Sequence, residues 1–152
     1  MIQKLNGNGP RKIAFDIDGI MINFHDPFLV FCNRRRGTSL SLQDIKTSDF
    51  SHISQLNQEE FQQDIRDFHQ PEYFRDLPAI PGARAALKRL AKKNFLGAIT
   101  SRRDYLYDAT IYSLRKNLIL EFLSEVHFTN GYSEAYRREL KSEICIRNGY
   151  GL

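Results

Sequence analysis

No apolar run in this chain approaches the ~20 residues of a membrane span, and the polar stretch Met1 to Arg11, with its glycines, lacks a signal-peptide core. Cysteine is scarce. Cys32 and Cys145 are too few and too far apart for a disulfide framework or a metal motif, so they read as reduced thiols of a cytoplasmic protein. Neither sign of charge dominates: 22 Lys and Arg stand against 18 Asp and Glu, a net charge of +4. The basic residues are scattered rather than striped, which suits a small anionic substrate and argues against a nucleic-acid partner. Internal repeats and low-complexity segments are also missing, so solenoid and linker architectures drop out.

What remains is a 152-residue chain with 41% hydrophobic content, enough for one domain with a real core. Lys12 to Ile17 reads as a buried parallel strand. Asp26-Pro27 predicts a helix start, with Asp as N-cap and Pro at the first helical position, and Gly37 predicts its end. Arg34-Arg35-Arg36 in the last turn reads as a solvated helix end that complements the dipole. Ser41 to Asp44 resembles a capping signature for a short helix. Asn57 starts another, whose Phe61, Ile65 and Phe68 share one face. Pro81 opens an amphipathic helix to about Asn94, followed by a second buried strand, Phe95 to Thr100. A helix from Asp104 to about Asn117, a short strand at Val126-His127-Phe128, an Asn130-Gly131 turn and a helix ending at Asn148-Gly149 complete the order. The alternation predicts an α/β fold, a Rossmann-like parallel sheet wound by helices. Residues 1–23 and 79–152 would form the core and 24–78, helical and aromatic-rich, a small inserted cap.

Asp16-Ile17-Asp18-Gly19 directly follows the first apolar run. Two carboxylates at the end of a buried strand repel each other and lose hydration, so a cation or a shared proton is expected beside them. Gly19 permits a sharp turn and close approach of a ligand. Ligands of open α/β sheets bind at the carboxyl ends of strands, which points to chemistry on a phosphate. Thr100-Ser101 ends the second strand and offers hydroxyls and turn amides to phosphate oxygens, and Lys141 is a point charge suited to the same group. Each has a plainer reading alone: Asp18-Gly19 as an ordinary turn, Thr100-Ser101 as an N-cap, Lys141 as a solvated helix residue.

Together and in this order the motifs resemble the haloacid dehalogenase (HAD) superfamily of phosphohydrolases. An apolar strand runs into Asp-x-Asp-Gly, a second strand ends in Thr-Ser, a Lys follows late, and Ile80-Pro81-Gly82-Ala83 is similar to the family's return from cap to core. Asn33 to Leu40, the Ser41 to Ile45 helix start and Ile99-Thr100-Ser101-Arg102 further resemble the 5′(3′)-deoxyribonucleotidase group. The resemblance implies that Asp16 attacks phosphorus to give an aspartyl-phosphate and that Asp18 serves as acid and then base. It also implies that magnesium is held by the Asp16 carboxylate and the Asp18 backbone carbonyl, and that Thr100, the Ser101 amide and Lys141 hold the phosphate oxygens. Dehalogenases of the superfamily lack the second Asp, so Asp18 favours phosphoryl chemistry.

The chain departs from the family pattern after Lys141, where no acidic pair follows to complete the magnesium site; Asp104 and Asp108 are not replacements, because they follow the second strand. The expectation is a HAD core incomplete at its C-terminus, with the first strand as a sheet edge that a homodimer could cover. The functional expectation is a magnesium-dependent phosphomonoesterase, a 5′-nucleotidase acting on (deoxy)nucleoside monophosphates. The alternatives are a phosphatase of other small metabolite phosphates or a non-catalytic HAD-fold binding module. Of the aromatics Phe24, Phe28, Phe50, Phe61, Phe68, Tyr73 and Phe74, one or two would touch substrate and the rest would build the cap's own core.

Overall fold

The first apolar run becomes a strand over Arg11–Phe15 (β1), two residues shorter at its end than the sequence predicts. The cause is local: the backbone turns at Ile17, whose carbonyl accepts from the amides of Met21 and Ile22, each at 2.9 Å. Gly19 sits in this loop at φ 78°, a value that costs a β-carbon-bearing residue energy. The computed structural model describes residues 9–45, 57–130 and 139–151. Most of the leader, Phe50 and Gly131 of the expected turn lie outside the described residues.

Strands β2 (Asn94–Thr100) and β3 (Glu125–Phe128) join β1 in a parallel sheet of order β1-β2-β3. Around it lie α1 (His25–Arg36), α2 (Gln58–Phe68), α3 (Pro71–Arg75), α4 (Ala83–Ala91), α5 (Tyr107–Lys116) and α6 (Lys141–Asn148). The fold is α/β, as the alternation predicts. Among the described residues no helix is long and apolar enough to cross a membrane.

Four starts differ from expectation: α4 begins at Ala83, beyond Pro81, Asp104–Leu106 forms a 3₁₀ turn ahead of α5, and the other two have plain local causes. Helix α1 begins at His25, ahead of Asp26, because Asn23 supplies the end group: its Oδ1 accepts from the Asp26 amide at 3.2 Å while its Nδ2 donates to the Asp26 carboxylate at 2.7 Å. Leu42–Asp44 closes only a single 3₁₀ turn, held by the Ser41 amide donating to Asp44 at 2.8 Å. Elsewhere the signals hold: Asn57 accepts from the Glu60 amide at 2.8 Å, and Gly37 and Gly149 end α1 and α6 in the left-handed conformation.

The arginine run at the end of α1 is solvated at Arg34, as expected, but tied down at Arg35 and Arg36. Arg36 donates to Asp64 of α2 through Nε at 2.5 Å and Nη2 at 2.9 Å and to the Glu60 carbonyl at 2.8 Å, while Asp64 is fully buried. Arg35 reaches the same carboxylate at 3.4 Å and pairs with Asp67. Burial pushes the neighbouring Cys32 thiol up to about 12, with Asp64 adding to it, so this cysteine is an inert core group.

Phe28, Phe61, Phe68 and Phe74 are fully buried in one apolar cluster with Phe24, Leu96, Leu106 and Leu114. These rings are structural mass, as expected of most of the aromatics. Where the segment enters and leaves, Asn23 donates to the Pro78 carbonyl at 2.8 Å and Ile80 to the Met21 carbonyl at 2.9 Å. Asn117, just past the end of α5, fixes the same crossing, donating to the Leu77 carbonyl and accepting from the Ala79 amide, both at 3.0 Å.

The opposite face of the sheet carries α6. Ala14, Gly97 and Glu125 are register partners across the three strands, and the ring of Tyr150 lies over the bare glycine. A β-carbon at Gly97 would stand 2.6 Å from Tyr150 Cζ. The Tyr150 hydroxyl donates to Glu125 at 2.6 Å, and burial together with that bond pushes the phenol up while Glu125 is held down. The next amide, Gly151, donates to the Lys12 carbonyl at 2.9 Å, on the β1 edge that is otherwise unpaired among the described residues. Gly97→Ala is therefore expected to lose about 1–3 kcal/mol by overpacking, more than the ~0.5–1 kcal/mol that alanine gains over glycine in a strand. Urea unfolding reads the sign directly; a stabilised variant would show that the ring yields without cost.

Candidate active site

Because the strands are parallel, the ends of β1, β2 and β3 open on the same edge of the sheet. Asp16 follows directly on β1 and Asp18 lies in the loop turned by Gly19. Thr100 is the last residue of β2 with Ser101 beyond it, and Lys141 is the first residue of α6. Two of the expected five meet face to face: the Lys141 ammonium donates to Asp16 Oδ2, while the Ile17 amide donates to Asp16 Oδ1 at 2.8 Å. The pair is open to solvent, with side-chain exposures of 38% and 41%, so an incoming anion can reach it. Thr100 is fully buried and its hydroxyl accepts from the Arg102 amide at 3.2 Å, tightening the turn after β2. Ser101 is half-buried on that turn.

Each of the two carboxylates has its own, separate side-chain cation of this chain beside it. Asp18 is held by Arg102, which sequence reasoning did not single out for a role. Arg102 Nε donates to Asp18 Oδ2 at 2.9 Å and Nη2 donates to Oδ1 at 2.6 Å, a two-pronged fork. The remaining Nη1 donates to the Thr110 hydroxyl of α5 at 2.9 Å, and the guanidinium lies 4.6 Å from the centre of the Phe74 ring of α3. Arg102 is 2% exposed. Its one signal in sequence is a charged residue directly after a Thr-Ser strand end.

A second unanticipated wall comes from the end of α2. The His69 ring lies 5.2 Å from Phe74 and 5.7 Å from Phe24, and its Nδ1 meets the Ile65 carbonyl at 2.6 Å. Burial pushes this imidazole below its ordinary value, so it is neutral near pH 7, with Nδ1 as the donor. Tyr105 donates to the His69 carbonyl at 2.8 Å and joins this wall to the turn after β2.

Among the described residues no three His, Cys, Asp or Glu side chains cluster as metal ligands. What the edge offers a cation is hard oxygen. Asp16 retains lone pairs beyond those taken by Lys141 and the Ile17 amide. That donor chemistry fits a small divalent ion that uses one or two carboxylates and completes its shell with water and substrate phosphate.

Residues 11–148 match the protein family described as 5′ nucleotidase, deoxy (pyrimidine), cytosolic type C. The candidate nucleotidase YqfW of Bacillus subtilis (strain 168) is 30% identical over 99 residues, 65% of this chain. The chain spans half the length of that curated relative. A haloacid dehalogenase-like family hydrolase from Streptococcus pneumoniae superposes over 91% of this chain and 68% of its own, with a TM-score of 0.61 at 13% identity. A HAD-superfamily hydrolase of subfamily IA from Geobacter sulfurreducens PCA covers 97% of this chain and 76% of its own, with a TM-score of 0.55 at 18% identity. At these identities the two structures establish a shared fold.

Proposed function

The chain belongs to the 5′ nucleotidase, deoxy (pyrimidine), cytosolic type C family, and from that membership we propose that it is a magnesium-dependent phosphomonoesterase of deoxynucleoside monophosphates. The observation that carries the reading is the pair of separately neutralised carboxylates at one strand edge, Asp16 with Lys141 and Asp18 with Arg102. Residues 24–78 act as a cap over a core formed by 1–23 and 79–152.

In this mechanism an Asp16 oxygen attacks phosphorus and the bond to the leaving alkoxide breaks, the alkoxide taking its proton from Asp18. Water then attacks the aspartyl-phosphate, gives its proton to Asp18 and releases inorganic phosphate. Lys141, beside the nucleophile, and Ser101 hold the non-bridging oxygens as their charge develops, while the buried Thr100 fixes the turn beneath them. The Asp16 carboxylate and the Asp18 backbone carbonyl would hold Mg2+, which would supply neutralising charge to the attack on phosphate. The neutral His69, packed between aromatic rings, suits the uncharged part of a nucleotide.

The test is phosphate release from deoxy- and ribonucleoside 5′-monophosphates and from sugar phosphates, with Mg2+ or with EDTA. The expected result is release from pyrimidine deoxynucleotides that EDTA stops. Preference for a sugar phosphate would move the substrate class, and no release from any ester would sink the proposal.

A further inference from the structure

We propose that Arg102 is the positioning residue for Asp18 and that helices α3 and α5 aim it. The inference rests on Asp18 acting as proton donor and acceptor. A carboxylate on a loop rotates about its side-chain torsions, and proton transfer demands a fixed direction toward the leaving oxygen. The Arg102 fork removes that freedom by taking one lone pair on each Asp18 oxygen, and it leaves the others for substrate and water.

The guanidinium is itself held on its remaining sides. Thr110 of α5 accepts from Nη1, and the guanidinium carbon sits over the Phe74 ring of α3, 4.6 Å from its centre. Helices α3 and α5 are bound to each other, with Lys116 donating to Asp76 at 2.6 Å and Arg75 lying 4.4 Å from the centre of the Tyr112 ring. The aim of Asp18 is therefore set by a helix pair, one member of which belongs to the proposed cap. Lysine at position 102 would keep the charge and lose the fork.

An ordinary buried ion pair would support folding alone, so the test needs a readout that folding does not move. A deoxynucleoside monophosphate expels an alkoxide that needs a proton, whereas 2,4-dinitrophenyl phosphate expels a phenolate that needs none. Arg102→Lys is expected to slow release of the leaving group in a single turnover by about 10²-fold for the nucleotide, the scale of one acid–base group, and by less than about fivefold for the aryl ester; hydrolysis of the aspartyl-phosphate, which also uses Asp18, is common to both. KM should move little for either ester. In an Asp18→Asn background Arg102→Lys should cause no further loss on the nucleotide, since a residue acting through another adds nothing once that partner is disabled. Thr110→Val, which keeps the fork and removes one support, should show the same selectivity at smaller amplitude, and it decides the matter if Arg102→Lys does not fold. Equal slowing of leaving-group release on the two esters, or additive losses in the double variant, would overturn the inference while leaving the phosphatase standing. A wild-type chain that releases phosphate from neither ester removes the phosphatase reading and this inference with it.

Discussion

Asp16→Asn abolishes phosphate release, with an expected loss on the order of 10⁴-fold or more, as for a variant that removes a covalent nucleophile. The substitution keeps the shape and both polar atoms of the side chain but replaces an anionic oxygen by an amide, a poor nucleophile toward phosphorus. Its structural cost is small. The Asp16–Lys141 pair is exposed by about two-fifths on each side, and pairs so open contribute about 0–1 kcal/mol. The paired measurements are therefore phosphate release and thermal unfolding of the same preparation. Activity within about tenfold of the parent would remove Asp16 as the nucleophile. Loss of activity together with a large fall in Tm would mean that the experiment had read stability instead.

The largest expected stability effect lies away from the reacting groups. Asp64→Asn leaves two arginines facing a neutral group in a fully buried position. Breaking a buried pair from one side costs about 3–5 kcal/mol, and the lower end applies because Arg36 retains 18% exposure and its bond to the Glu60 carbonyl. About 3 kcal/mol corresponds to a fall of roughly 6–12 °C in Tm for a chain of this size. Arg35→Gln should cost far less, since its side chain is 40% exposed. Equal losses in the two variants would contradict the assignment of Asp64 and Arg36 as the buried core of the cluster.

The contrast between Asp16 and Asp64 also marks what could be read from sequence. That Asp16, Asp18, Thr100 and Ser101 stand at strand ends was legible because the apolar patterns ahead of them are local, and parallel strands bring those ends to one edge; Lys141 was marked by its likeness to the family order. The strand runs, the Asn57 start and the two glycine ends were legible for the same reason: their causes lie within a few residues. Arg36 and Asp64 are 28 positions apart and Arg102 and Asp18 are 84 apart. Nothing in a local window pairs them, so a run of three arginines reads as a wet helix end and an arginine after Thr-Ser reads as a turn residue. Asn23 was overlooked for a subtler reason, since Asp26-Pro27 already supplied a plausible helix start and masked the side chain three residues earlier.

Gly97 and Tyr150 fell to the same limit, at 53 positions apart, yet their contact reaches the reacting edge of the sheet. Lys141 is the first residue of α6, and Tyr150 stands just beyond its glycine end. The helix is eight residues long, about 12 Å, and behaves as a stiff lever. Its heel is the ring seated on the bare strand and tethered to Glu125; its toe carries the ammonium that meets Asp16. A hydrogen atom in place of a side chain at Gly97 thus sets the height of a fulcrum on one face of the sheet. A displacement of the heel would be delivered at the toe, so the position of the ammonium beside Asp16 depends on a contact in the middle of the central strand.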